Sequence, residues 1–280
     1  MSSEHERNTI LQENEEVPEE QQLDVITGTV YSRSFVLQCL IDMSRGCSNA
    51  KDEDVGLLDR MEILVEMVKT SSEVCSYILS IDDVLITIAD MIEWDDISPS
   101  VGEMVEAIVQ CEECTSWVRA NAEGIFAVCV RLFESLRLRE VCAAFQSFRY
   151  LLAKPDLEFG MDWILWFAEE DTQGRLNFAL RNAPSEMGQL SESILQVLKV
   201  LLEVSEEMRH AYADFLLNFN PNSFTSEEAV VLHLECVYLL DAEKICSSEG
   251  ITNFIFATRN TDGPYTPLVS VVDRMIRKLK

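Results

Sequence analysis

The chain has 280 residues, 48% of them hydrophobic, and carries 22 lysines and arginines against 49 aspartates and glutamates, a net charge of −27. That charge excludes a general affinity for nucleic-acid backbones or anionic membranes, both of which need a basic footprint, and favours protein partners with basic surfaces or peptides. Only 10 glycines and 7 prolines are present, which disfavours turn-rich β architecture and favours long helices. No apolar run approaches the roughly 20 residues of a membrane span. The opening Met1-Ser-Ser-Glu-His-Glu-Arg7 lacks the apolar core of a signal peptide. The expectation is a soluble protein of the cytoplasm, with residence in the nucleus also compatible.

Residues 1–24 hold eight acidic residues against the single base Arg7, with Pro18 and almost no apolar periodicity; they read as a disordered acidic arm. From Val30 onward the texture changes. Phe35, Val36, Cys39, Leu40 and Met43, then Leu57, Leu58, Met61, Leu64 and Met67, keep helical spacing, with Arg45-Gly-Cys-Ser-Asn49 separating the two runs. A segment then recurs: a polar helix-starting group, a short helical turn, a small or acidic pair and a new apolar helix. It is clearest in the stretches that open at Ser72, Glu113 and Asp241. The residues that open each following apolar helix, Val84, Gly124, Gly160, about Asp214 and Gly250, stand about 40, 36, 54 and 36 residues apart. Helical units at such a period are the mark of a repeat protein. The long interval contains residues 171–185, read as a loop or an extra short helix. Ser98-Pro-Ser100 and Ala183-Pro-Ser185 break helices, and Thr225-Ser-Glu-Glu228 spells a capping box. The last helix, about 265–280, places Arg274, Arg277, Lys278 and Lys280 near a C-terminus, where cations complement the dipole, and reads as a terminal cap.

A polar loop, a turn, Glu-Gly-Ile and an apolar helix resemble the armadillo repeat, with the related HEAT repeat the alternative. This resemblance implies an all-α, right-handed armadillo/HEAT-like α-solenoid over residues 25–280 behind the disordered arm. It further implies that third helices line a concave, protein-binding groove. On that frame the groove residues are Asp90, Glu93, Trp94, Arg131, Glu134, Trp166, Glu170, Asn218 and Asn253, with tryptophan the natural recognition anchor.

Catalytic groups are sparse. The three histidines, His5, His210 and His233, form no metal-binding pattern; there is no phosphate-cradling glycine loop and no Gly-x-Ser-x-Gly elbow. No enzymatic activity, cofactor or metal is expected. Nine cysteines are an odd set that suits a reducing compartment, and most stand in apolar helical runs as small hydrophobes. Cys111 and Cys114 form the only Cys-x-x-Cys. With no second pair and no nearby histidine to complete four ligands, it reads as helix packing. Trp117-Val-Arg-Ala-Asn121 has the spacing used by the nuclear-import adaptor family. Tyr31-Ser-Arg-Ser-Phe-Val-Leu37 resembles the helix that binds the cap-binding translation initiation factor, through Tyr31, Val36 and Leu37. The functional expectation is a non-enzymatic scaffold or adaptor. The alternatives are a nucleotide-exchange cochaperone of the seventy-kilodalton heat-shock chaperone, a role found among small armadillo proteins, and a translation-initiation partner acting through Tyr31–Leu37.

Overall fold

The computed structural model describes residues 22–26, 29–32, 36–41, 55–153, 161–183, 188–259 and 266–279. Among them the packed elements are helices, apart from one hairpin, and the class is all-α. The hairpin pairs β1 (Gln22–Ile26) antiparallel with β2 (Thr29–Ser32), Val25 opposite Val30 and Ile26 opposite Thr29. Paired strand therefore begins at Gln22, inside the stretch expected to be structureless to residue 24. Its β-branched and aromatic residues suit a pleated ribbon. Residues 1–21 lie outside the described residues.

The chain divides into two compact units, Met1–Leu151 and Leu152–Lys280, whereas the sequence reads as one repeat domain over 25–280. The first unit holds helical residues 36–41 (α1), α2 (Val55–Thr70), α3 (Ser72–Leu79), α4 (Val84–Met91), α5 (Ser98–Gln110), α6 (Thr115–Ala120), α7 (Ala122–Glu134) and α8 (Leu138–Leu152). The second holds α9 (Met161–Ala168), α10 (Glu170–Asn182), α11 (Gly188–Val204), α12 (Glu206–Asn218), a 3₁₀ turn over Pro221–Ser223, α13 (Glu227–Tyr238), α14 (Ala242–Ser247), α15 (Glu249–Arg259) and α16 (Pro267–Lys278). The helices α2, α5, α8, α11, α13 and α16 begin at Val55, Ser98, Leu138, Gly188, Glu227 and Pro267. These lead helices recur every 43, 40, 50, 39 and 40 residues. Between successive lead helices stand a short helix and a second helix, except after α11, where only α12 and the 3₁₀ turn intervene.

Like packs on like. In the first unit α2 lies along α5 and α4 along α7; in the second, α11 lies along α13, α13 along α16 and α12 along α15. The lead helices carry the core. Met61, Leu64 and Met67 on α2, Val101, Met104 and Ile108 on α5, and Ile194, Leu198 and Leu201 on α11 are fully or almost fully buried, at the spacing that gathers one helix face. Each such side chain contributes about 1.5–3 kcal/mol when buried. Close approach is built in twice: a methyl group at Gly102 of α5 would stand 2.9 Å from the Ala143 Cβ of α8, and one at Gly124 of α7 would stand 2.7 Å from the Leu85 Cδ1 of α4.

The structure relocates several sequence marks. Gly124 lies inside α7, which starts at Ala122, and Asp214 lies inside α12, which starts at Glu206. Gly160 precedes the short helix α9, not a second helix; the second helix there is α10, which occupies most of the stretch expected to be loop or short helix. Only Glu169, in extended conformation (φ −62°, ψ 138°), separates α9 from α10, so no glycine or proline announces the break. The cap of α13 is Ser226, one residue later than the box predicts. Its hydroxyl accepts from the Ala229 N–H at 3.0 Å and donates to Glu192 on α11 at 2.7 Å. Ser71, Ser205 and Thr266 cap α3, α12 and α16 in the same way, satisfying donors that a helix start leaves open.

The last helix is tied inward. Arg274 donates to Glu235 at 2.8 Å, and Lys199 of α11 meets the same carboxylate at 2.7 Å. Partial burial would raise the Glu235 carboxyl, but the hydrogen bonds from Lys199 and Arg274 outweigh it and hold the pKa below its ordinary value. The Lys278 ammonium donates to the carbonyls of Tyr238 and Leu240 and lies over the Tyr238 ring. Arg274 and Lys278 are thus engaged within the fold.

Candidate functional site

Every groove residue expected from the sequence reaches the surface. Asp90 on α4, Glu93 after it, Arg131 and Glu134 on α7, Glu170 on α10, Asn218 on α12 and Asn253 on α15 are exposed; Trp94 and Trp166 are half-buried. Within the first unit, Asp90 and Arg131 come together: the guanidinium lies 3.9 Å from the carboxylate and donates to the Ala89 carbonyl at 3.4 Å. Both groups are more than half exposed, so this pair contributes little to stability. Within the second unit, Asn218 lines a cavity of about 380 Å³ between α12 and α15, with Asp214, Phe219, Pro221, Ser248 and Gly250 on its walls. The two tryptophans of α9 separate cleanly. Trp163 is 4% exposed and belongs to the core, whereas Trp166 lies partly open beside Phe167.

Two motifs are absorbed by the scaffold. The Asn121 amide donates to the Trp117 carbonyl at 2.9 Å and closes the end of α6, which accounts for the Trp-x-x-x-Asn spacing. Tyr31 lies in β2, while Val36 and Leu37 lie in α1. Val36 is fully buried and Leu37 is exposed, so these residues do not share one helix as the translation-factor motif requires.

The histidines take different environments. His210 is exposed beside Arg209, Asp241 and Lys244 around a cleft of about 210 Å³. His233 is buried against the stacked Phe219 and Phe224 rings, with its Nε2 2.9 Å from the Leu216 carbonyl, which fixes that nitrogen as the donor. Burial lowers its pKa to about 4, although the Leu216 hydrogen bond works the other way.

The cysteines hold a finding that sequence reasoning missed. The Cys75, Cys111 and Cys114 sulphurs lie within 4.8 Å of one another, the one such set among the described residues. Cys75 comes from α3, Cys111 closes α5 and Cys114 precedes α6. The Cys114 thiol donates to Cys75 Sγ at 3.4 Å, and the Cys111 thiol donates to Glu113 Oε2 at 3.5 Å. Burial pushes the Cys75 thiol far up, and the hydrogen bond with Cys114 adds to it. Burial also raises Cys111, partly offset by a hydrogen bond from the Cys114 backbone N–H. The pair that reads as packing in the sequence therefore has a third thiol beside it. The missed signal was spacing: Cys75 and Cys114 are 39 residues apart, close to the interval at which the lead helices of this unit recur.

No protein-family model matches this chain, and no curated protein matches it significantly.

Proposed function

We propose that the chain is an armadillo-like repeat protein that works by binding other proteins, without chemistry of its own, along the outward stripes of its second helices. The observation that supports this is where large apolar side chains meet solvent. Ile86 on α4, Phe178 on α10 and Phe256 on α15 are 60%, 51% and 53% exposed, each on a second helix. Aromatic side chains in contact with solvent, ringed by polar residues, are what recognition surfaces present. The net charge of −27 steers basic partners toward the chain.

The test uses the full chain as bait in native lysate, comparing wild type with Ile86→Asp, Phe178→Asp and Phe256→Asp. At least one of these surface variants is expected to lower partner recovery about tenfold, with helical circular dichroism unchanged. Equal recovery by all three with intact helicity removes the reading.

A further inference from the structure

We propose that Cys75, Cys111 and Cys114 are the protein ligands of a zinc ion, a trithiolate site whose fourth position opens at the Cys111–Glu113 turn. Zinc bound by thiolates at about 2.3 Å in tetrahedral geometry holds its sulphurs about 3.8 Å apart. The three sulphurs here already lie within 4.8 Å of one another, with 3.4 Å between Cys75 and Cys114. Side-chain adjustments of about an ångström would bring all three to ligand separation. The fourth side also has a ligand type to hand. Glu113 Oε2 is 3.5 Å from Cys111 Sγ, about the separation of an oxygen and a sulphur on one tetrahedral zinc. That carboxylate, after a rotation toward the other two sulphurs, or a water completes the coordination.

The environment selects the ion. Cys75 and Cys114 are buried and Cys111 is half-buried, a soft, largely dry cradle that suits a thiophilic cation and disfavours hard, hydrated ones such as magnesium or calcium. The turn is pre-shaped: the Cys114 N–H donates to the Cys111 carbonyl at 3.2 Å. Simple packing of three small apolar side chains would not call for the polar groups that converge here, the Glu113 carboxylate and the Ser76 hydroxyl 3.7 Å from Cys114 Sγ. Binding displaces one proton from each thiol. The bound ion would pin α3 to the α5–α6 turn and so lock two successive repeats of the first unit.

The experiment takes the full chain, reduced and stripped of metal, and adds cobalt(II) as a spectroscopic probe. One equivalent is expected to produce a near-ultraviolet thiolate-to-cobalt charge-transfer band and the visible bands of a tetrahedral ion, both erased by one equivalent of zinc. Cys75→Ser, Cys111→Ser and Cys114→Ser should each weaken zinc binding at least hundredfold, while Cys246→Ser, at an exposed thiol outside the cluster, leaves it unchanged. No charge-transfer band from the wild type at stoichiometric cobalt overturns the proposal, and this result needs no variant to fold. Equal loss of zinc affinity in Cys246→Ser and Cys111→Ser, with helicity intact in both, overturns it as well.

Discussion

The two units solve the same problem with different chemistry. Each must join successive helical repeats through polar groups that are taken out of water. The first unit does so with sulphur and a buried charge. Besides the thiol cluster, Arg137 at the start of α8 pairs at 2.8 Å with Glu140, whose side chain is almost wholly buried, and donates to the Ile92 carbonyl, to Ser98 and to Asp95. The second unit keeps its deepest polar groups neutral. The Tyr212 hydroxyl donates to the Phe167 carbonyl at 2.7 Å, and the neutral His233 ring donates to Leu216; its charges meet at the partly buried Glu235 instead. A repeat frame thus fixes where a joint must be satisfied and leaves open which residue satisfies it.

The largest effect is expected where a buried charge would be stranded. Arg137→Ala should destabilise the protein by about 4 kcal/mol at neutral pH, because Glu140 would remain buried without its partner. Urea unfolding measures this, and adding Glu140→Met should restore a good part of the loss. A change below about 1 kcal/mol would mean that charge is not what holds the first unit's joint.

Acid should discriminate the second unit. His233 has a folded-state pKa of about 4, below its ordinary 6.5, so between these values the unfolded chain binds the extra proton. Stability linked to this residue is complete above pH 6.5 and falls as pH drops toward 4, by up to about 3 kcal/mol over the window. His233→Gln, which keeps an N–H for the Leu216 carbonyl, should lose that part of the pH dependence. Parallel pH profiles for wild type and variant would contradict the assignment. In the same unit Tyr212→Phe should cost about 2 kcal/mol by orphaning the buried Phe167 carbonyl, read from thermal or urea unfolding.

The smallest effect runs the other way. Leu136, between α7 and α8, is held at φ 58° with its side chain largely exposed, a conformation that costs a branched residue about 1 kcal/mol. Leu136→Gly should therefore stabilise the first unit by about that amount. A loss of stability would show that the Leu136 side chain supports the α7–α8 joint.

How much of this was legible varies with the kind of signal. Apolar residues at helical spacing identify α2 by Met61, Leu64 and Met67 because one buried face repeats every turn. Boundaries were less legible. The α9–α10 break is a single extended glutamate, and nothing in local chemistry separates it from helix interior. The start of α12 was readable after all: Ser205 followed by Glu206 and Glu207 is an N-cap with acids in the first turn, a better marker than Asp214. The hairpin was hidden by the acidic composition just before it. The repeat frame assigns Asp90, Arg131, Asn218 and Asn253 to a groove, and what the structure adds is that each is exposed. The thiol cluster was not legible, because it joins residues a full repeat apart and lies on no single face.

That one-repeat interval has a kinetic side. Cys75 meets Cys114 across 39 residues, Lys199 meets Glu235 across 36, Lys278 meets Tyr238 across 40 and Tyr212 meets Phe167 across 45. Each of these joints forms by closing a chain loop of similar, modest length, and the entropy of closure grows only slowly with that length. Within each unit, helices can therefore pair through contacts of modest chain separation, and a topology rich in such contacts favours fast folding.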